Sequence, residues 1–410
     1  MHQKLFHRDF SIMIIGQIIS LFGNSILRFS LSLYVLDLTG SAAVFGGILA
    51  LSMIPTILFS PIGGIIADRV NRRNIMVALD YSTAALITVF AIFFSMGDSL
   101  LLIGAVMILL SLIQSFYQPS VQASIPALTN DENLMKANGV VIQVNALANL
   151  VGPILGGFLY GFLGIEPIII ASGVCFFLSA TMELFLHIPF IRQERKGDLI
   201  ADAVGDLKSA FFFLSKDNPK MFQLLFAVAG INLFLSAMIM VGLPYIIRIF
   251  LGLSSQHNGF AEGALAVGSI LGGCLAGIVG KKIQMSRSYV FLFAGSIVLL
   301  PIAISLISNA SPFLSYGVVL VCVMLCMCMA ALFSIFAQTY MQQKTPPVLL
   351  GKVASFVTVI SMCALPLGQA MYGGLFDWLK NNVYLVVLFA GVASVVISFA
   401  VRKALINIDA

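Results

Sequence analysis

The chain has 410 residues, of which 60% are apolar and only 10% charged, and 22 Lys and Arg against 17 Asp and Glu leave a formal net charge of +5. A globular domain is usually about 45–50% apolar and ~25% charged, so this composition excludes a water-soluble fold and leaves no room for a separate catalytic domain. A helix of about 20 apolar residues crosses a bilayer, and the apolar content here suffices for twelve crossings.

Apolar runs bounded by charge, Pro or Gly fall at residues 10–35, 43–67, 75–96, 99–121, 139–163, 167–188, 221–246, 258–280, 288–308, 312–337, 353–376 and 383–401. With the N-terminus in the cytoplasm, 19 of the 22 basic residues lie on that side, the exceptions being Arg28, Arg248 and Lys380. Basic loops resist translocation, so both termini are expected inside a cell membrane. Lys4, His7, Arg8 and Asp9 precede the first run and no A-x-A-like site follows it, so no cleaved leader is expected. The expected fold is all-α and polytopic, with twelve transmembrane helices in two six-helix bundles. Residues 1–188 form the N-terminal bundle, 189–220 a cytoplasmic linker and 221–410 the C-terminal bundle.

Along span one, Gln17, Ser20, Asn24 and Arg28 recur at helical spacing as a polar stripe. Polar groups are costly in lipid, so the stripe marks either a cavity wall or, for Arg28, a side chain reaching the outer surface or Asp37. Asp80 on span three follows Arg73 by seven residues and is expected to pair with it. Glu183 and His187 share a face at the end of span six. In the linker, Ile200, Val204, Leu207, Phe211 and Leu214 alternate spacings of 4 and 3 opposite Asp198, Asp202 and Asp206, which predicts a helix along the membrane surface. Glu262 opens span eight with Arg248 close in sequence; a carboxyl group removed from water holds its proton more tightly, and an outer-surface salt bridge is the alternative. The six cysteines all lie in apolar runs and are expected to be small packing residues rather than metal ligands or disulfides.

Two internal matches support a duplicated architecture. Gly63, Gly64, Ala67, Val70, Arg72 and Arg73 recur 209 residues later as Gly272, Gly273, Ala276, Val279, Lys281 and Lys282. Phe116, Gln118, Gln122 and Pro126 recur 220 residues later as Phe336, Gln338, Gln342 and Pro346. Parallel six-span repeats are a transporter architecture.

The turn after span two, Gly64-Ile65-Ile66-Ala67-Asp68-Arg69-Val70-Asn71-Arg72-Arg73, resembles the G-x3-D-[RK]-x-G-[RK]-[RK] signature of the major facilitator superfamily, with Asn71 in place of the second Gly. The resemblance implies a gate built from Gly64, Asp68, Arg69, Arg72 and Arg73. Span five carries Gly139, Ala148, Gly152, Pro153, Gly156 and Gly157, which resembles the antiporter pattern G-x8-G-x3-G-P-x2-G-G with Ala148 replacing one Gly. Short segments at Asp37–Ser41 and Asp206–Pro219 are similar to the drug-efflux branch that includes macrolide and enterobactin exporters. That likeness implies a substrate cavity on spans one, four, seven and ten. Its candidate contacts are Gln17, Asn24, Arg28, Gln114, Tyr117, Asn232, Ser236, Ser334 and Gln338, with interhelical hydrogen bonding as the competing role. Many proton-coupled members carry R-x-x-Q-G on span four, whereas this chain has Ser111-Leu112-Ile113-Gln114-Ser115.

The expected function is export of amphipathic small molecules by proton antiport, with Glu262 the first coupling candidate and Asp80 and Glu183 behind it. An uptake symporter for a polar metabolite is the nearest rival. No enzyme activity, cofactor, metal or nucleic-acid partner is expected: there is no G-x4-G-K-[ST] loop, no H-E-x-x-H, and the four His are scattered at 2, 7, 187 and 257. Protons, small-molecule substrate and membrane lipid are the expected partners of a monomer.

Overall fold

The computed structural model describes residues 5–97, 100–189, 199–280, 283, 285–308 and 310–405, without the side chains of 131, 199–204, 206, 348 and 404. Lys281 and Lys282 of the internal repeat, and the acidic face of the linker, lie outside the described residues. Among those described, twelve helices are long and apolar enough to cross a membrane. In chain order the spans are Arg8–Thr39, Ala42–Arg69, Arg72–Phe94, Leu100–Leu128, Asp131–Leu163, Ile165–Glu183, Pro219–Phe250, Ser255–Val279, Met285–Ile307, Pro312–Lys344, Pro347–Trp378 and Val383–Leu405. A linker helix, Leu199–Phe212, precedes span seven.

Local chemistry sets the ends of these helices. The Asn71 side chain accepts the Arg73 N–H at 3.1 Å, and Asn130 accepts that of Asn133 at 3.1 Å, so spans three and five begin on capped amides. Spans five and six are parted by Gly164, whose φ of +76° is a conformation that only glycine adopts without strain. Span seven is interrupted by two wider π turns, Asn232–Ser236 and Ile246–Phe250.

The chain divides into two compact units. The first comprises residues 1–38 and 51–196. In it a Cβ on Gly63 of span two would stand 2.3 Å from the Ser115 carbonyl oxygen, so spans two and four touch backbone to backbone. Span five lies equally close to span one: a Cβ on Gly152 would stand 2.2 Å from Ser25 Oγ, and one on Gly156 would stand 3.2 Å from the Ile26 carbonyl oxygen. With no hydrophobic drive between helices in lipid, such small-residue contacts replace it with close packing. Gly139 and Gly64, by contrast, have nothing within 4 Å of a Cβ.

The second unit comprises residues 39–50 and 197–410, so the start of span two packs with the later spans. Gly272 repeats the contact made by Gly63, its Cβ position lying 2.5 Å from the Cys328 carbonyl oxygen, which joins span eight to span ten. Gly368 on span eleven fits against the Leu233 carbonyl at 2.3 Å, beside the first π turn of span seven. The linker helix does not lie free on a surface. Ala210, Phe213 and Leu214 are buried against Met221, Leu225 and Val353, at the starts of spans seven and eleven. Of the expected apolar face, Leu214 meets protein and Phe211 is exposed, while the side chains of Ile200 and Val204 lie outside those described.

Candidate functional site

Two carboxylates are buried in the first unit. Asp80 on span three is 2% exposed and Glu183 on span six is fully covered. Their neighbours are hydroxyl groups. Ser20 Oγ lies 2.5 Å from Asp80 Oδ2 and 2.8 Å from Ser179 Oγ, and the Ser179 hydroxyl donates to the Gly16 carbonyl at 3.0 Å. The Tyr117 hydroxyl of span four donates to Glu183 Oε1 at 2.7 Å. Glu183 Oε2 is buried without a hydrogen-bond partner among the described residues.

The expected Asp80–Arg73 pair is not formed. Arg73 turns away and donates to the Leu184 carbonyl, because the seven-residue offset carries Asp80 two turns deeper, against span one. No basic side chain among the described residues compensates either acid. Buried charge of one sign without a counter-ion is strongly unfavourable, and the group that relieves it with least rearrangement is a proton. The grouping of Glu183 with His187 dissolves as well, since the helix ends at Glu183 and His187 lies beyond it, its amide on Asp9 at 3.1 Å.

Arg28 is held inside the first unit by hydroxyls, 2.5 Å from Ser111 Oγ and 3.3 Å from Ser52 Oγ. Arg28 is half-buried there, and Asp37 accepts the Tyr160 hydroxyl at 2.8 Å. Ser111 occupies the place that R-x-x-Q-G gives to arginine, so here span one delivers the guanidinium that span four lacks. Gln17, fully buried, and Asn24 have side-chain atoms without partners in the same unit. Tyr117, expected as a cavity contact, is itself buried with its hydroxyl on Glu183. Gln114 lies half-buried on the same span.

In the second unit three expected substrate contacts meet. Asn232 and Ser236, both in the π turn of span seven, line a cavity of about 420 Å³ with Ser334 of span ten and with Ser269, which the sequence did not single out. Val228, Ile231, Met327 and Phe333 make most of its wall apolar. Gln338 faces an adjoining space of about 220 Å³ that shares Ser334 and is closed by Leu214 from the linker. π turns are frequent where a helix builds a site, and Asn232 and Ser236, four residues apart, share one face of this one. Neither cavity is lined by a charged group.

Glu262 has no ion-pair partner among the described residues. Arg248 donates instead to the Leu253 carbonyl at 2.7 Å, closing the turn after span seven. In the turn expected to form the gate, Arg72 Nη2 lies 3.9 Å from Asp68 and its Nε donates to the Ala67 carbonyl at 3.1 Å, tying the end of span two to the start of span three.

Twelve helices of membrane-spanning length, packed within each unit through close glycine contacts, define a polytopic membrane protein. Residues 13–369 match the Major Facilitator Superfamily, and the chain belongs to it. It is 25% identical over 354 residues to macrolide efflux protein A of Streptococcus pyogenes, covering 86% of this chain and 85% of that one. To an enterobactin exporter of Salmonella typhi it is 26% identical over 326 residues, covering 77% and 72%. Among solved structures it resembles a nucleoside transporter at 13% identity and a TM-score of 0.73, covering 98% of this chain and all of that one, a likeness of fold alone.

Proposed function

We propose that the chain is a secondary exporter of amphipathic small molecules driven by proton antiport, with coupling at Asp80 and Glu183 and substrate contact in the cavity of Asn232, Ser236, Ser269 and Ser334. The observation that carries the coupling assignment is the burial of two acids among hydroxyls with no basic partner. An exchanging proton needs a carboxylate that is covered in one state, and this pair, both of whose acids are buried, meets that need better than Glu262, which is half-buried. The mostly apolar cavity with a few amide and hydroxyl groups suits a ligand of mixed character.

The direction of transport rests on the span-five glycines seated against span one and on relatives named for efflux and export. Basic-residue asymmetry supports a cell-membrane topology with both termini inside. Drug accumulation in cells lacking their major pumps, with and without a protonophore, tests the reading. Lower accumulation that the protonophore reverses supports it. Higher accumulation of every amphiphile would replace export by uptake, and export indifferent to the protonophore would remove the proton.

A further inference from the structure

The contacts around Asp80 constrain where hydrogens sit. A carbonyl oxygen brings none, so the 3.0 Å contact between Ser179 and the Gly16 carbonyl uses the Ser179 hydrogen. The 2.8 Å contact between Ser179 and Ser20 must then use the hydrogen of Ser20. Each hydroxyl has only one hydrogen to give. The 2.5 Å contact between Ser20 and Asp80 Oδ2 is therefore left with the hydrogen of the carboxyl group. All three contacts are satisfied together when Asp80 is the neutral acid.

Resting on the coupling assignment above, we infer that Ser20 and Ser179 are positioning residues: they form a hydrogen-bond chain whose direction follows the protonation of Asp80 and decides whether the Ser179 hydrogen goes to the Gly16 carbonyl or to Ser20. When the proton leaves to water, the Ser20 hydrogen turns to the carboxylate, the Ser179 hydrogen turns to Ser20, and the Gly16 carbonyl loses its bond from span six. The chain has two self-consistent directions, one for each protonation state.

The titratable groups facing Asp80 are Glu183 of span six and Tyr117 of span four, while span one contributes only hydroxyl and backbone. Arg73, on Asp80's own span, is engaged on Leu184. Tyr117 and Glu183 bond to each other, so among the described residues the serine chain links Asp80 to the Gly16 carbonyl of span one.

The test is an infrared difference titration of the full chain in liposomes, following the carboxylic-acid C=O band in a Glu183→Gln, Glu262→Gln background so that a single acid of the pair reports without Glu262. Asp80→Asn should abolish the band. Ser179→Ala breaks the chain beyond Ser20 and should move the midpoint by about one pH unit, the worth of one net hydrogen bond. Ser179→Thr, which restores the hydroxyl, should return it. A midpoint unmoved by Ser179→Ala, with the band still lost in Asp80→Asn, would overturn the relay and leave the coupling assignment standing. A band that survives Asp80→Asn would overturn both.

Discussion

Asp377, near the end of span eleven, accepts the backbone N–H of Ala42 at 2.7 Å, and the same carboxylate takes the Ala43 N–H at 3.2 Å and the Ser41 hydroxyl. The first amides of span two are thus capped by a residue 335 positions away. Gly46 and Gly373 make the approach possible: a Cβ on either would stand 2.5 or 2.6 Å from the opposing carbonyl oxygen. Loss of a helix cap costs about 1 kcal/mol. Asp377→Ala should therefore speed amide hydrogen exchange at Ala42 and Ala43 roughly fivefold, and unchanged exchange there would show that the carboxylate is not the cap.

The glycine seams give paired expectations. Gly63→Ala places a methyl group 2.3 Å from the Ser115 carbonyl and should lower membrane abundance and thermal midpoint. Gly64→Ala, one residue on and open to space, should leave both intact, with a helix-propensity gain of up to ~1 kcal/mol. Gly156→Leu should behave like Gly63→Ala, because Ile26 and Phe29 leave no room for it. Detergent-extracted yield and melting of the four proteins, wild type included, decide the matter.

At the gate, Asp68 is half-exposed beside Arg72 and packs against little. Asp68→Asn should keep normal abundance while abolishing most export. Arg72→Lys keeps the charge but loses the Nε donation to Ala67, so export should fall partway. Initial export rates normalised to protein in the membrane give the comparison, and full export by Asp68→Asn would remove it from the gate.

Cavity substitutions should act on substrate affinity. Asn232→Ala removes one hydrogen-bonding group from the 420 Å³ space and should raise the apparent KM for an exported amphiphile about fivefold. Ser334→Leu fills part of both adjoining spaces and should raise it further. Ser82→Ala, exposed and bonded only to its own helix, should leave KM unchanged.

Hydropathy and basic-residue asymmetry made the twelve spans legible in the sequence, because lipid demands long apolar helices whatever their packing. The Gly152 and Gly156 contacts were legible too, since small residues at fixed spacing have a physical purpose in membranes. What stayed hidden was pairing across the chain. Asp80 meets Ser20 at a separation of 60 residues and Tyr117 meets Glu183 at 66, and a one-dimensional reading offered Asp80 the nearest arginine instead. Ser269 and Asp377 carried no signal at all: one is a serine among many in apolar runs, and the other stands at a helix end whose partner lies in another span. Arg28 was seen as part of a stripe, but its delivery to Ser111 required the packing of spans one and four.

The central claim is that Asp80 and Glu183 couple protons to export. Its most direct measurement is transport of an exported amphiphile in proteoliposomes with an imposed pH gradient, comparing wild type with Asp80→Asn, Glu183→Gln and Glu262→Gln. The account predicts that the first two variants lose gradient-driven accumulation yet still equilibrate substrate downhill, while Glu262→Gln accumulates like wild type. Wild-type accumulation by the Asp80→Asn, Glu183→Gln double variant would contradict it.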